Sequence, residues 1–272
     1  MRIYTLASGS GGNCTLVKDG ADAILIDAGI SLRRIKLSLA KLGMSFDDIC
    51  GIFISHEHSD HVFGLKTLVK NIEIPIFAPR TVANRLRLTI TGVEDYITVM
   101  QPLCEVKLGG LAVASFNTPH DTQESVGYRV SGSCAFGICT DCGHVSEEML
   151  EGLKGVKAAL IEANHDVDML VAGSYPAFLK RRILSEKGHL SNESCAELAK
   201  TLVEGGATQL VLGHLSRENN SPSIAFDTVS NSLLRLGLDV HRDLCISVAP
   251  EKDLLGICLD EGEECAGEWE FV

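Results

Sequence analysis

The chain has 272 residues, of which 45% are hydrophobic and 22% are charged. These proportions are typical of a globular protein, and they exclude a disordered chain, a collagen-like repeat and a small disulfide-stapled domain. The net charge of −12 argues against binding of nucleic acid through the surface as a whole. Aromatic residues make up only 5% of the chain, so few side chains can stack on the bases of a single strand.

The apolar periodicity predicts strands that alternate with helices. Short aliphatic runs between turns predict strands, and apolar residues three or four positions apart predict helices. Since no fixed-period repeat or flexible linker divides the chain, we predict one α/β domain with mixed sheets covered by helices. In chain order, the predicted elements are strands over 3–7, 14–17 and 23–27, a helix over 31–42, a strand over 50–55, a helix over 62–72, strands over 74–78, 97–100, 111–117, 126–130 and 135–140, a helix over 146–153, a strand over 158–163, a helix over 191–204, a strand over 209–213, a helix over 223–236 and a strand over 245–249.

Charge is distributed unevenly along this chain. Residues 260–272 hold six acidic residues and no Lys or Arg. These six residues account for half of the net charge of −12. We therefore expect one domain over residues 1–259, followed by an acidic C-terminal tail. Residues 176–190 hold four basic residues and one acidic residue. Such a segment is either a solvated helix face or a strip that contacts phosphates, and Arg181 and Arg182 are its candidate substrate contacts.

The amino terminus shows no targeting segment. Its apolar run over residues 3–7 is ended by Ser8 and Gly9, and it is too short for a signal peptide or a membrane span. Ten cysteines at irregular spacings, without a secretory signal, indicate free thiols in a reducing compartment. We therefore expect a cytoplasmic protein that does not act at a membrane.

Four potential metal ligands lie within six residues, directly after the predicted strand over 50–55. His56 and His58 are two residues apart and can face one ion from an extended or looped backbone. Asp60 and His61, at the start of the next helix, can turn toward a second ion. Imidazole and carboxylate groups are the ligands expected for zinc, manganese or iron. Because this spacing is rare in a polar surface turn, it predicts a metal site.

The segment His56-x-His58-x-Asp60-His61 resembles the signature of the metallo-β-lactamase fold. Other positions of that family have candidates in the expected order along the chain: Asp27, His120, Asp141 and His214, each near the end of a predicted strand. The resemblance implies an α/β fold, an αβ/βα four-layer sandwich of two mixed β-sheets with helices on the outer faces. It assigns one ion to His56, His58 and His120 and a second ion to Asp60, His61 and His214, with Asp141 between them and Asp27 supporting the ligands from behind.

Four further segments, at residues 6–13, 162–166, 188–192 and 212–216, resemble the YycJ/WalJ exonuclease-like subgroup of this fold. The implied function is a phosphodiesterase with two divalent ions, zinc or manganese, and with iron as a further option. Its implied substrate is DNA, degraded as by a 5′–3′ exonuclease. Asp60 would be a catalytic ligand, and a hydroxide between the ions would be the nucleophile.

Glu162 and His189 are candidates for proton transfer. The last three of those segments also resemble, more loosely, the tRNA 3′-processing endonucleases of this fold, which bring these two positions together beside the metals. Those enzymes carry a His where this chain has Ile161. A His oriented by a carboxylate can protonate a leaving alkoxide, although His189 is also placed to cap a helix or contact phosphate. His165, after a strand on the same side, is a candidate substrate or supporting contact.

The main alternative function is a small-molecule hydrolase of the same fold, acting on an ester, thioester, lactone or cyclic phosphodiester. The negative net charge favours that alternative, whereas the basic segment over 176–190 and the pair of Glu162 and His189 favour a nuclease. A redox-active diiron protein of this fold would carry Glu at the position of His58. The glycine-rich segment over 8–13 predicts either a tight turn or a loop whose N–H groups contact phosphate.

Overall fold

The computed structural model describes residues 1–101, 104–238, 240 and 242–259. Within that part, the chain forms two seven-stranded β-sheets that pack face to face. The acidic tail predicted over residues 260–272 lies outside the described residues, and the domain boundary before it stays a prediction. In the described ranges, no helix is both long and apolar enough to cross a bilayer.

The first sheet has the strand order β14-β1-β2-β3-β4-β5-β6. Neighbouring strands are antiparallel from β14 to β3 and parallel from β3 to β6. The strands are β1 (Arg2–Ala7), β2 (Cys14–Asp19), β3 (Asp22–Ile26), β4 (Ile49–Phe53), β5 (Ile76–Pro79), β6 (Ile97–Met100) and β14 (Leu255–Cys258).

The second sheet has the order β13-β12-β11-β10-β9-β8-β7 and repeats this plan. Its strands are antiparallel from β7 to β10 and parallel from β10 to β13. They are β7 (Glu105–Leu108), β8 (Leu111–Asn117), β9 (Val126–Ser131), β10 (Ala135–Cys139), β11 (Ala158–Glu162), β12 (Gln209–Gly213) and β13 (Cys245–Val248).

Helices cover the outer faces of the sheets, which confirms the predicted four-layer sandwich. One apolar core lies between the sheets and includes Val17, Tyr128 and Leu160. Each sheet also has one further core, between its outer face and the helices that cover it. The helices are α1 (Leu32–Lys41), α2 (Ser59–Val62), α3 (Leu65–Leu68), α4 (Arg80–Thr89), α5 (Glu147–Gly152), α6 (Val167–Ala172), α7 (Ala177–Ile183), α8 (Asn192–Glu204) and α9 (Pro222–Leu234).

Helix caps account for several of these boundaries. Ser31 and Ser191 precede α1 and α8, and each side chain accepts a hydrogen bond from a backbone N–H in the first turn. Such caps satisfy amides that have no partner within the helix. The apolar residues of α1 that are three or four positions apart face the core of the first sheet.

The helix predicted over 62–72 is wrong in detail, because α2 and α3 replace it. Gly64 separates them, and its N–H donates to the Ala28 carbonyl over 2.7 Å. A Cβ atom at this glycine would lie 2.3 Å from the Ile30 carbonyl oxygen, so only glycine allows this approach. Helices α4, α6 and α7 and strands β7 and β14 are not among the predicted elements. All but α4 have at most seven residues, which is too few to show a clear apolar period, whereas α4 has an apolar face of Val82, Ala83 and Leu86 that the prediction overlooks.

Parallel strands place their carboxyl ends at one edge of each sheet. In the first sheet this edge follows β3 and β4, and in the second it follows β10, β11 and β12. The two edges meet where the Val126 N–H donates to the Ser55 carbonyl and the His214 N–H donates to the Ser8 hydroxyl. Loops at such an edge are the usual position of a ligand site in an open α/β sheet.

Candidate metal centre

The predicted ligands come from both sheets and meet at this shared edge. His56 lies in the loop after β4, and Asp60 and His61 lie on α2, which follows that loop. His120 follows β8 and Asp141 follows β10. Four overlapping groups of His, Asp and Glu atoms lie close enough to hold a metal ion: His56, His58 and His120; His56, His61 and Asp141; Asp60, His61 and His214; and Asp141, Glu162, His189 and His214.

Three imidazole nitrogens form the first group. His58 Nδ1 lies 3.1 Å from His56 Nε2 and 3.3 Å from His120 Nε2. Nitrogen ligands about 2.0–2.1 Å from a tetrahedral ion are separated by about 3.3–3.4 Å. Both nitrogen–nitrogen distances are therefore close to the ligand spacing of a tetrahedral metal site.

The Asp141 carboxylate lies between this group and the group of Asp60, His61 and His214. In the latter group, Asp60 Oδ2 is 3.5 Å from the Nε2 atoms of both His61 and His214. Asp141 Oδ2 is 3.0 Å from His61 Nε2, and Asp141 Oδ1 is 3.7 Å from His120 Nε2. Asp141 thus faces ligand atoms of both groups.

Hydrogen bonds at the far side of three rings leave their Nε2 atoms directed at the centre. His61 Nδ1 lies 2.7 Å from Asp27 Oδ2, and His214 Nδ1 lies 2.8 Å from Glu162 Oε1. His120 Nδ1 lies 3.2 Å from the Gly188 carbonyl oxygen. Because carboxylate and carbonyl oxygens only accept, each Nδ1 carries a proton and each Nε2 is available as a ligand.

Two buried polar atoms at the centre lack a hydrogen bond of standard geometry within the described residues: Asp141 Oδ2 and His214 Nε2. Buried polar atoms are rarely left without partners, so these atoms require an additional group. Burial and the neighbouring His61 keep the pKa of His56 well below its ordinary value. A neutral imidazole is the form that binds metal. The donor set and its orphaned atoms therefore fit divalent metal ions.

Asp27 contacts the start of the ligand loop from the side away from the centre. Its two carboxylate oxygens accept hydrogen bonds from the backbone N–H of Ser55, at 2.8 Å, and from the Ser55 hydroxyl, at 2.9 and 3.0 Å. The hydroxyl is also 3.1 Å from His56 Nδ1. Asp27 therefore holds both the ring of His61 and the start of the ligand loop.

Glu162 is a completely buried carboxylate with four donors around it. The ring nitrogens Nδ1 of His189 and His214 each lie 2.8 Å from Oε1. The backbone N–H groups of Cys142 and Leu190 donate to Oε2 over 2.8 and 3.1 Å. Burial alone would raise the pKa of Glu162, but the two histidines lower it to about 2. Glu162 is therefore ionised and orients one predicted ligand together with His189.

Backbone strain is concentrated at this site. Among the described residues, positive φ angles outside glycine occur at Asp27 (60°), Asp141 (59°) and His214 (56°). Residues other than glycine rarely adopt this left-handed conformation, and Asp tolerates it better than most. All three residues directly follow a strand end or lie one position beyond it. The strained turns direct Asp141 and His214 into the centre and Asp27 against the ring of His61.

Sequence reasoning missed three residues that contact the centre. Asn13, in the glycine-rich loop, places Nδ2 3.0 Å from His61 Nε2 and 3.4 Å from Asp60 Oδ2. Ser55 and Asp121 were also missed, although each is adjacent to a predicted ligand. Only that adjacency could have indicated them. The glycine-rich loop is a tight turn, since the Gly12 N–H donates to the Gly9 carbonyl over 2.9 Å, and it lies against the ligand residues because the Asn13 N–H donates to the Asp60 carbonyl over 2.7 Å.

The remaining candidate residues, His165, Arg181 and Arg182, differ in their contacts with the proposed ligands. His165 is buried, and neither ring nitrogen has a hydrogen-bond partner within the described part of the chain. Arg182 Nε donates to Asp121 Oδ2, and Asp121 Oδ1 is 3.3 Å from His120 Nε2. Arg181 is exposed. The structure therefore connects Arg182 to the ligands through one carboxylate and does not connect Arg181 to them.

A family described as the Beta-lactamase superfamily domain matches residues 22–215, which is more than half of the chain. The chain belongs to the β-lactamase superfamily. A crystal structure of the metallo-β-lactamase fold protein YhfI from Bacillus subtilis superimposes with a TM-score of 0.69 at 14% identity. It covers 94% of this chain and 99% of that one, and it shows that the fold is shared.

Two curated relatives match nearly the full length of the chain. Exodeoxyribonuclease YycJ from Bacillus anthracis is 34% identical over 242 residues, covering 88% of this chain and 92% of that protein. Exodeoxyribonuclease WalJ from Streptococcus pneumoniae is 35% identical over 242 residues, with coverage of 88% and 90%. These matches confirm the resemblance predicted from the motifs. The protein is a hydrolase of the metallo-β-lactamase fold, which implies divalent metal ions at its His and Asp clusters.

Proposed function

We propose that this superfamily member is a DNA exonuclease that uses two divalent metal ions to hydrolyse phosphodiester bonds. The observation that carries the proposal is the position of Asp141, whose oxygens face ligand atoms of both His and Asp groups. Two ions that share a carboxylate are a recurrent arrangement in enzymes that cleave phosphate esters. The names of the two full-length relatives indicate DNA as the substrate.

The proposed ligands divide by their positions around Asp141. His56, His58 and His120 would hold one ion, and Asp60, His61 and His214 would hold the other, with Asp141 as a ligand to both. The mixture of imidazole and carboxylate suits zinc or manganese and also admits iron. When bound, the ions would acidify the attacking water and neutralise the charge of the phosphodiester.

The chain's own groups would orient the ligands and supply a proton. Asp27 and Glu162 hold the rings of His61 and His214 through their Nδ1 atoms. Glu162 also accepts from His189 Nδ1, so His189 Nε2 is left for the substrate. Burial lowers the pKa of His189, but the charge and hydrogen bond of Glu162 outweigh burial and raise it. His189 would therefore protonate the leaving alkoxide as a general acid.

Substrate binding is the second part of the proposal. Arg181 and Arg182 would contact DNA phosphates beside the centre, where guanidinium groups bind phosphate with good geometry. The local cations would offset the negative net charge of the whole chain. Degradation from the 5′ end is the polarity that the motif resemblance implies, and the cytoplasm is the compartment we propose.

The test is a substrate panel assayed with zinc, manganese and magnesium. It includes end-labelled DNA and RNA, a small phosphodiester, and ester, thioester and lactone compounds. We expect metal-dependent release of nucleotides from DNA, starting at the 5′ end. Rapid hydrolysis of a small ester or lactone, with DNA left intact under every metal, would instead support the small-molecule hydrolase.

A further inference from the structure

Helix α7 exposes a large aromatic side chain next to its arginines. Phe178 is 67% exposed. Phe178 precedes Arg181 and Arg182 by three and four residues, so the three side chains lie on one face of the helix. Burying a Phe ring gains considerable free energy, and an exposed ring is therefore able to stabilise a complex with a ligand that covers it.

This face of α7 is continuous with the metal centre. Arg182 Nε donates to Asp121 Oδ2, and Asp121 Oδ1 lies 3.3 Å from His120 Nε2 and 3.7 Å from His58 Nε2. His120 and His58 both belong to the first group of candidate ligands. From Phe178, a path of adjacent side chains therefore leads to the centre through one arginine and one aspartate.

The cations of this segment differ in how they are engaged. Lys180 Nζ donates to the carbonyl oxygens of Val171 and Gly173, at 2.7 Å each, so this lysine joins α6 to α7. Arg181 is exposed and forms no ion pair within the described residues. The Arg181 guanidinium is therefore available to a ligand, Arg182 is paired with Asp121, and the lysine stabilises the fold.

An aromatic ring beside arginines matches the chemistry of an unpaired nucleotide. One helical turn separates Phe178 from the arginines by about 5–6 Å along the helix axis. A nucleotide could then place its base on the ring and its phosphate on a guanidinium group. Inside a duplex, neighbouring base pairs cover both faces of each base, whereas an unpaired base can offer a face to an aromatic side chain.

We propose that Phe178 is a stacking platform for an unpaired base, so that α7 binds single-stranded DNA or a frayed DNA end beside the metal centre. This inference rests on the proposed nuclease function and specifies its substrate. A single-stranded end guided by Phe178 would enter the centre from the side of His58 and His120.

Binding of a phosphorothioate oligothymidylate to the metal-loaded protein tests the proposal. Phe178→Ala should weaken this binding by about 5- to 150-fold, the range expected for loss of one stacked base. Phe178→Trp should retain it. Leu88→Ala is the matched control, because Leu88 is an apolar side chain on α4 with 82% exposure. Turnover of a small phosphodiester should be the same in all four proteins.

Fluorescence gives a readout that a structural role of Phe178 would not change. A Trp269→Phe background removes the one tryptophan of the chain, so Phe178→Trp adds a single reporter on α7. A stacked base should quench this tryptophan when the oligothymidylate is added. A blunt duplex at the same phosphate concentration should leave it bright.

Three outcomes would overturn the inference. The first is unchanged single-strand binding in Phe178→Ala, and the second is equal loss of single-strand and blunt-duplex binding. The third is a wild-type dimer that Phe178→Ala converts to a monomer, since the ring would then be covered by a second copy of the chain. Each leaves the proposed function standing if DNA is still degraded. Absence of DNA degradation in the wild type, with the small diester still hydrolysed, would refute the function itself.

Discussion

Glu162 connects a candidate metal ligand to a candidate acid through a single oxygen atom. Its Oε1 accepts from both His189 and His214, so the two rings are held in a fixed relation. The same carboxylate is anchored by two backbone N–H groups, which limits its own movement. A shift of Glu162 would therefore disturb both metal binding and proton transfer, whereas a change at His189 should affect proton transfer alone.

His189→Ala should slow cleavage of a diester with an alkoxide leaving group by about 10²- to 10⁴-fold, the usual contribution of a general acid. A nitrophenolate leaves without a proton, so its release should slow much less. Initial rates on the two diesters measure the difference, and elemental analysis should show unchanged metal content.

His144→Ala is the control for this substitution, because His144 is an exposed histidine that contacts the Glu186 carbonyl. Equal slowing of both diesters by His189→Ala would assign His189 to binding. Loss of metal would assign it to the structure of the centre.

Asp27→Asn should weaken metal binding by about 10- to 100-fold, as is typical when the partner of a ligand histidine is changed. An amide polarises the ring of His61 less than a carboxylate does. Asn also tolerates the positive φ at this position, so the substitution tests the charge rather than the backbone.

Titration of metal-stripped protein with zinc measures the change, and Asp47→Asn, at an exposed position, is the control. Zinc affinity equal to that of the wild type would mean that Asp27 only supports the loop.

At the scale of the elements, α7 unites features that the sequence presents separately. The basic segment predicts either a solvated helix face or a phosphate-binding strip. The structure places Arg182 beside Asp121, and thus one carboxylate away from His120. That proximity favours a strip whose position relative to the centre is fixed.

Arg181→Ala and Arg182→Ala should each weaken DNA binding and flatten its salt dependence. For single strands, each lost phosphate contact should reduce the log–log slope by about 0.7. Binding isotherms over a range of salt concentrations measure the slope, and Arg85→Ala, an exposed arginine on α4, is the control. Turnover of a small phosphodiester should change little. Equal damage to DNA and to the small diester would show that α7 serves the structure of the site.

Strands and ligand order were more predictable than the geometry that joins them. Buried strands leave short apolar runs, and Asp141 and His214 follow such runs at β10 and β12. His120 follows the half-buried β8, whose aliphatic residues also predict a strand, so the order of the three could be predicted. The close approach of Gly64 and the left-handed turns at Asp27 and Asp141 depend on contacts between distant segments. A local pattern does not encode such contacts. For the same reason the sequence placed Asn13 in a tight turn but did not indicate its contact with His61.

At the scale of the whole molecule, the two sheets act as halves of one site. The first sheet supplies His56, His58, Asp60 and His61, and the second supplies His120, Asp141 and His214. Tyr128 joins the halves through the core, since its hydroxyl donates to the Ile54 carbonyl over 2.6 Å. The packing of the sheets therefore determines the distances between the two groups of ligands.

The metal content of the protein tests the central claim most directly. Protein purified without chelators and saturated with zinc or manganese should contain two ions per chain by elemental analysis, because two groups of ligands meet at Asp141. The ions should be located between those groups by anomalous scattering. A ratio that stays at one or below under saturation would contradict the dinuclear centre, and with it the hydrolytic chemistry proposed for this chain.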